Sequence, residues 1–191
     1  TLQQRLVRPK RKIDTAGIAY EVPSKSEMAP RLRSVLRTLY VLFTEGYSST
    51  NDDALVREAL CEEAIRLARM MLAAMPGEAE LEALLALFLL HHARAPARVS
   101  DGRLVRLAEQ DRTLWDRAAI AEGSALVEGC LRARPVPRYA IEAAIAALHD
   151  EAEHAEDTDW AQIAALYREL LQRGLGDAIV QLNHAVAVAM A

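Results

Sequence analysis

Between Leu81 and Leu90 the chain carries one charge, Glu82, and is otherwise leucine, alanine and phenylalanine. A helix that is apolar on every side has to be enclosed on every side, by lipid or by other helices. Length excludes lipid, because the uninterrupted apolar run around Leu84–Leu90 is less than half of the roughly 18 residues a bilayer needs. The segment from Leu81 to Ala95, ended by Pro96, is therefore expected to be a central helix inside a shell of amphipathic ones. Composition can supply that shell. Alanine, the best helix former, fills 36 of the 191 positions. The 8 glycines and 7 prolines are too few for a turn-dense β fold.

The flanking segments carry the matching period. Leu2, Leu6, Val7 and Ile13 line one side of a short basic segment that Pro9 interrupts. Residues 14–27, with Gly17 and Pro23, read as an extended connector. Ser26 and Pro30 mark the start of the next helix, Leu36, Leu39, Tyr40 and Phe43 belong to its stripe, and Gly46 its stop. Ser49–Asn51 offer a cap for a helix through Leu60, Ile65 and Leu72. Residues 97–110 are ambiguous, with a turn at Asp101-Gly102. A long helix from about Arg112 to Arg132 follows, then one from Arg138, one capped by Asp157 or Thr158, and a last one from Ala178 to Ala191. The organisation expected is an arm at 1–13, a connector at 14–27 and a helical domain at 28–191. The fold class is all-α, with antiparallel helix pairs forming a TPR-like superhelix of seven or eight helices after the arm. Asp159-Trp160-x2-Ile163-Ala164-x2-Tyr167 matches the opening of such a repeat. Helical pattern is already under way at Thr1 and still under way at Ala191, so the chain is expected to be a fragment of something longer, whose last helix can self-associate.

Catalytic constellations are not found. Cys61 and Cys130 share no Cys-x-x-Cys spacing and read as reduced core residues of a cytoplasmic protein. His91 and His92 point about 100° apart on a helix and cannot face one ion together. His149 with Glu153 and Asp150 with His154 have chelating spacing, but the stretch from His149 to Asp157 reads more simply as a solvated helix end. Ser124 lies in no nucleophile elbow, and Gly174-Leu-Gly176 follows a helix, which makes it a C-cap and not a phosphate loop. No enzyme, metal site or cofactor is expected. One patch stands out: Asp111, Arg112, Trp115, Asp116 and Arg117. It admits two readings, an ion-pair network around a large aromatic, or a docking surface for a partner or small ligand, for which Trp and Arg are enriched.

Charge is divided along the chain. Residues 1–13 hold Arg5, Arg8, Lys10, Arg11 and Lys12 and no acid, while the remainder holds 18 basic against 27 acidic residues. A basic arm on an acidic body fits an element that touches a polyanion. The arm Leu2-Gln-Gln-Arg-Leu-Val-Arg-Pro-Lys-Arg-Lys-Ile13 resembles the end of the region-4 helix-turn-helix of extracytoplasmic-function (ECF) sigma factors. Ala16-Gly-Ile-Ala-Tyr-Glu-Val-Pro23, Phe43-Thr-Glu-Gly-Tyr-Ser48, Leu89-Leu-His-His-Ala-Arg94, Gln110-Asp-Arg-x2-Trp-Asp-Arg117 and Leu182-Asn-His-Ala-Val-Ala187 are similar to the subgroup with a TPR-like C-terminal extension. Pro9 departs from the family arm, where Ala is usual, and sigma region 2 has no counterpart.

The resemblance implies a C-terminal regulatory and protein-interaction domain of an ECF-type sigma factor. Its partners would be core RNA polymerase and promoter DNA in the intact protein, and the protein's own sigma regions 2 and 4. Gln3, Gln4, Arg5, Arg8, Lys10, Arg11 and Lys12 would contact DNA, mostly at phosphates. The fragment alone would not initiate transcription. The alternative is a ligand-sensing helical domain with a pocket near Asp111, Arg112 and Trp115.

Overall fold

The computed structural model describes residues 12, 15–17, 24–48, 54–100 and 102–191. Seven helices dominate them: α1 (Lys25–Ser48), α2 (Ala54–Ala74), α3 (Ala79–Ala93), α4 (Arg117–Leu131), α5 (Arg138–Glu151), α6 (Trp160–Gln172) and α7 (Ala178–Met190). A two-residue hairpin, β1 (Val99–Ser100) with antiparallel β2 (Arg103–Leu104), and four 3-10 turns complete the described structure. The fold is all-α. Among the described residues no helix is long and apolar enough to cross a membrane.

The chain divides into two compact units, Thr1–Val35 and Leu36–Ala191. In the first, Lys12 is helical and exposed, and Ser24 starts α1. The Ser24 backbone N–H and hydroxyl both donate to Glu27 Oε2, at 3.0 and 2.7 Å, and Arg31 holds the other oxygen at 3.1 Å. This start moves the helix into the segment read as connector and leaves Pro30 inside it.

In the second unit α3 is the hub. Leu81, Ala83 to Leu90 and Ala93 are all buried, and the helix packs against α2, α4 and α5. Small side chains are buried on its neighbours: Cys61, Ala64 and Ala68 on α2, Gly123 on α4, and Ala140, Ala143, Ala144 and Ala147 on α5. Spacings of three, four and seven keep these residues on one face and let the backbones approach. On α1 the stripe Leu36, Leu39 and Phe43 is buried, with Phe43 stacked on Phe88 at 4.3 Å between centroids. A second core of Ile141, Ile145, Ile163, Ala164, Leu170, Val180 and Ala187 joins α5, α6 and α7.

Several boundaries differ from the sequence reading. Gly46 does not stop α1, which continues to Ser48. The long helix from Arg112 is replaced by a 3-10 turn at Arg112–Leu114 and a helix beginning at Arg117, because Asp116 accepts the N–H groups of Ala118 and Ala119 and so caps it. The Asp116 N–H is already given to the Ala93 carbonyl at 2.9 Å, which ties this start to the end of α3. Asp159, and neither Asp157 nor Thr158, caps α6 through the Gln162 N–H. The Ser49–Asn51 cap lies outside the described residues. Gly174 ends α6 with φ of 68°, and Leu175 N–H reaches the Leu170 carbonyl at 3.0 Å, as a glycine-closed helix end requires.

Candidate functional site

A groove of about 450 Å³ opens among the second half of α1, the end of α3, α5, α6 and the start of α7. Ala143, Ala144 and Ala147 of α5 join the core cluster of α3, while Glu142, Ile145, Ala146 and His149 line the concavity. Tyr40, Phe43, Tyr47, Leu87, Phe88, Ile145 and Leu170 form its apolar surface. Tyr40 stacks on Tyr139 at 5.7 Å, and Tyr47 lies 5.8 Å from Phe43 and edge-on to His91 at 5.1 Å. Polar groups enter in two sets. His91, Arg94 and His149 form one; Arg138, Glu142, Asp177 and Asn183 the other. Glu142 and His149 are two turns apart on α5, about 10 Å along its axis.

The first set is a buried cationic cluster. Arg94 Nη1 stands 3.5 Å from Asp150 Oδ1, with the two side chains 5% and 0% exposed. Arg94 Nη2 donates to His91 Nδ1 at 2.6 Å, while its Nε and both oxygens of Asp150 have no hydrogen-bond partner. Arg98 lies 3.5 Å over the Tyr47 ring and donates to the Tyr47 carbonyl at 2.7 Å. Burial, then the charges of Arg94 and Arg98, holds His91 well below its ordinary pKa. Burial with Arg94 and Arg112 lowers His149 to about 4. Asp150 is pushed up to about 7, because the cost of burying its charge exceeds the pull of Arg94 and Arg112. The histidines are thus neutral acceptors, and the guanidinium groups outnumber the one carboxylate.

The second set is acidic. Arg138 Nε donates to Glu142 Oε1 at 2.7 Å, and the Arg138 N–H donates to Glu80 Oε1 at 3.2 Å. Glu80 Oε2 is buried without a partner. Burial raises Glu142 despite Arg138, with Asp177 and Glu80 adding to the rise, and Tyr139 is pushed up to about 12 by burial and then by Glu142. Glu82 joins Glu80 in acting on Cys130. Glu80, Glu82, Glu142 and Asp177 therefore share one electrostatic neighbourhood.

The residues singled out in sequence are used differently. Asp111 accepts the Thr113 N–H at 2.9 Å. Arg112 donates to the carbonyls of His149 and Ala152 at 2.7 and 2.8 Å, closing the end of α5, and lies 4.5 Å over the Trp115 ring. Trp115 is buried in the core cluster with Leu90, Ile120 and Val127 and lines neither this groove nor the shallow cleft at Asp111 and Arg117. Asp116 caps α4, and Arg117 donates to the Arg112 carbonyl at 3.3 Å. The stretch is not one helix but a 3-10 turn at Arg112–Leu114 followed by the Asp116 cap of α4. Asp111, Arg112, Thr113 and Arg117 instead border a shallow cleft of about 480 Å³ with Glu153 and His154. Of the DNA-contact candidates Lys12 is described and exposed; Gln3, Gln4, Arg5, Arg8, Lys10 and Arg11 lie outside the described residues. Among the described residues no group of three His, Cys, Asp or Glu is placed to hold a metal ion. Asp150, read as part of a solvated helix end, is instead buried against Arg94.

Residues 31–131, just over half of the chain, match the model of a family of unknown function, DUF6596. The chain belongs to this family. The matched region spans most of α1, and α2, α3 and α4, and so contributes Tyr40, Tyr47, His91 and Arg94 to the groove. An uncharacterized protein of Rhizobium meliloti (strain 1021) is 45% identical over 188 residues, covering 98% of this chain and 44% of that protein. The chain thus spans less than half the length of the curated relative it matches. No solved structure matches it.

Proposed function

We propose that this chain is a regulatory interaction domain within a longer, cytoplasmic transcription initiator of the ECF sigma type. Its helices stack in the manner of TPR pairs, and its role is docking and not catalysis. The observation that carries this reading is the nearness of Glu80 and Asp177 to Glu142, with Arg138 bonded to both Glu142 and Glu80 and with Glu82 acting beside Glu80 on Cys130. An acidic face of this kind complements the basic DNA-reading segment in which Gln3, Gln4, Arg5, Arg8, Lys10, Arg11 and Lys12 stand. It supports masking or positioning of that segment, or of the sigma regions that engage core RNA polymerase and promoter DNA. The relative's greater length agrees with a domain that works inside a larger chain.

The test is run-off transcription with core polymerase and the full-length parent, with and without residues 14 onward. Loss of transcript on removal identifies an obligatory activator and a rise identifies a built-in inhibitor. An unchanged yield and promoter preference refutes the reading.

A second reading, a ligand-sensing helical domain, is favoured by one observation. The groove has apolar walls and a buried, incompletely partnered arginine among its lining residues.

A further inference from the structure

We propose that the groove binds a small organic carboxylate, an acid with an apolar or aromatic body, with Arg94 as its anion anchor. The proposal rests on the ligand-sensing reading and names the ligand's chemistry.

Arg94 is an unusual groove residue. It is 4% exposed, yet among the described residues its one close hydrogen bond is to neutral His91. A guanidinium offers five donors in a planar fork, and burying one without filling that fork is costly. Asp150, its charged neighbour, stands at 3.5 Å and makes no hydrogen bond to it. Arg98 acts on His91 and Arg112 on His149, so arginines outnumber the carboxylate around this cluster. His91 and His149, both held below the ordinary histidine pKa, add no positive charge of their own. A ligand that brings one negative charge and two acceptor oxygens would supply what Arg94 lacks.

The walls decide the rest of the ligand. Tyr40, Phe43, Tyr47, Ile145 and Leu170 present rings and branched chains, and rings stack on flat or aliphatic bodies. A bare dianion would lose its hydration against these walls without compensation. A monocarboxylate places its charge at Arg94 and its body against the rings.

The probe is 3-phenylpropanoate, titrated calorimetrically into the whole chain against its uncharged isostere 3-phenylpropanamide and inorganic phosphate. The acid is expected to bind at least about tenfold more tightly than the amide, the worth of one charge-assisted hydrogen bond, and phosphate more weakly than the acid. This comparison needs no variant. The double variant R94Q/D150N then exchanges the buried ions for amides of similar shape and is expected to abolish the preference for acid over amide. Equal binding of acid and amide overturns the anion anchor but leaves a ligand groove. Phosphate binding as tight as the acid overturns the apolar body. Binding of neither organic probe overturns both the proposal and the ligand reading, while the transcription assay decides the docking reading separately. A preference that survives R94Q/D150N places the anchor elsewhere and refutes the assignment.

Discussion

Two glycines in one helix offer a sharp test of how the core is built. Gly123 and Gly129 both lie in α4, and both become better helix formers as alanine, by about 1 kcal/mol in a helix interior. Their surroundings differ. A Cβ at Gly123 would stand 2.8 Å from Leu90 Cγ, 3.0 Å from Leu90 Cδ2 and 3.4 Å from the Ala86 carbonyl oxygen. Leu90 is fully buried in the cluster that holds Ala86, Trp115 and Val127, so its branch point has nowhere to move. Overpacking of this kind costs about 1–3 kcal/mol, which exceeds the propensity gain. Gly123→Ala is therefore expected to lose about 1 kcal/mol. A Cβ at Gly129 meets nothing within 4 Å, so Gly129→Ala should gain about 0.5 kcal/mol, less than the full value because the helix ends two residues later. Urea unfolding followed by far-UV circular dichroism measures both, with unchanged m-values as the check that only stability moved. The argument is refuted if Gly123→Ala is as stable as Gly129→Ala, since α3 and α4 would then be able to part at no cost.

Other consequences are as direct. Arg112→Ala removes two hydrogen bonds to the end of α5 and the cover of Trp115, and should cost about 2 kcal/mol after allowance for partial exposure, against less than about 0.5 for Arg117→Ala; thermal unfolding separates them. Stability against pH carries opposing contributions between about 4 and 7, with Asp150 and Glu142 raised and His149 and His91 lowered. Asp150, raised from 3.8 to about 7, contributes stability at low pH that is lost as pH rises through 7, whereas His149, lowered from 6.5 to about 4, contributes stability above 6.5 that is lost as pH falls. Asp150→Asn should therefore steepen the acid limb and His149→Gln should flatten it; the reverse order in urea titrations at stepped pH would refute the assignment. Cys61 and Cys130 are buried with thiols pushed up to about 11, so a disulfide reagent at pH 8 should label neither until urea unfolds the chain. Rapid labelling of either in the native state would show that α2 or α4 opens locally.

Elements with a strong period were legible in the residues and those set by a single side-chain hydrogen bond were not. The all-round apolar segment at Leu81–Leu90 did become the hub, because no other placement satisfies it. The start of α5 at Arg138 and the glycine closure of α6 also follow from local chemistry. Residues 111–116 look helical by spacing, yet two aspartates in that stretch each take backbone N–H groups, Asp111 for a 3-10 turn and Asp116 for α4. Local hydrogen bonds of this kind compete with helix continuation, and periodicity is blind to them.

The groove's chemistry was hidden for a different reason. Charged residues are seldom buried, so Asp150 read as part of a solvated helix end and Arg94 drew no reading as a buried charge. The pattern nevertheless held the contrary signal. Asp150 follows Ala143, Ala146 and Ala147 at helical spacings of seven, four and three, and all three alanines are buried. Arg94 stands in the same relation to Leu87 and Leu90 on α3. Two opposite charges at inward positions on two helices that must pack together are each intolerable alone and mutually compensating when paired. Followed to the end of each helix, the period places both charges on inward faces. What periodicity cannot supply is the 3.5 Å gap between them and the unpaired Nε of Arg94, and those are the features that turn an ion pair in a core into a place where an anion can bind.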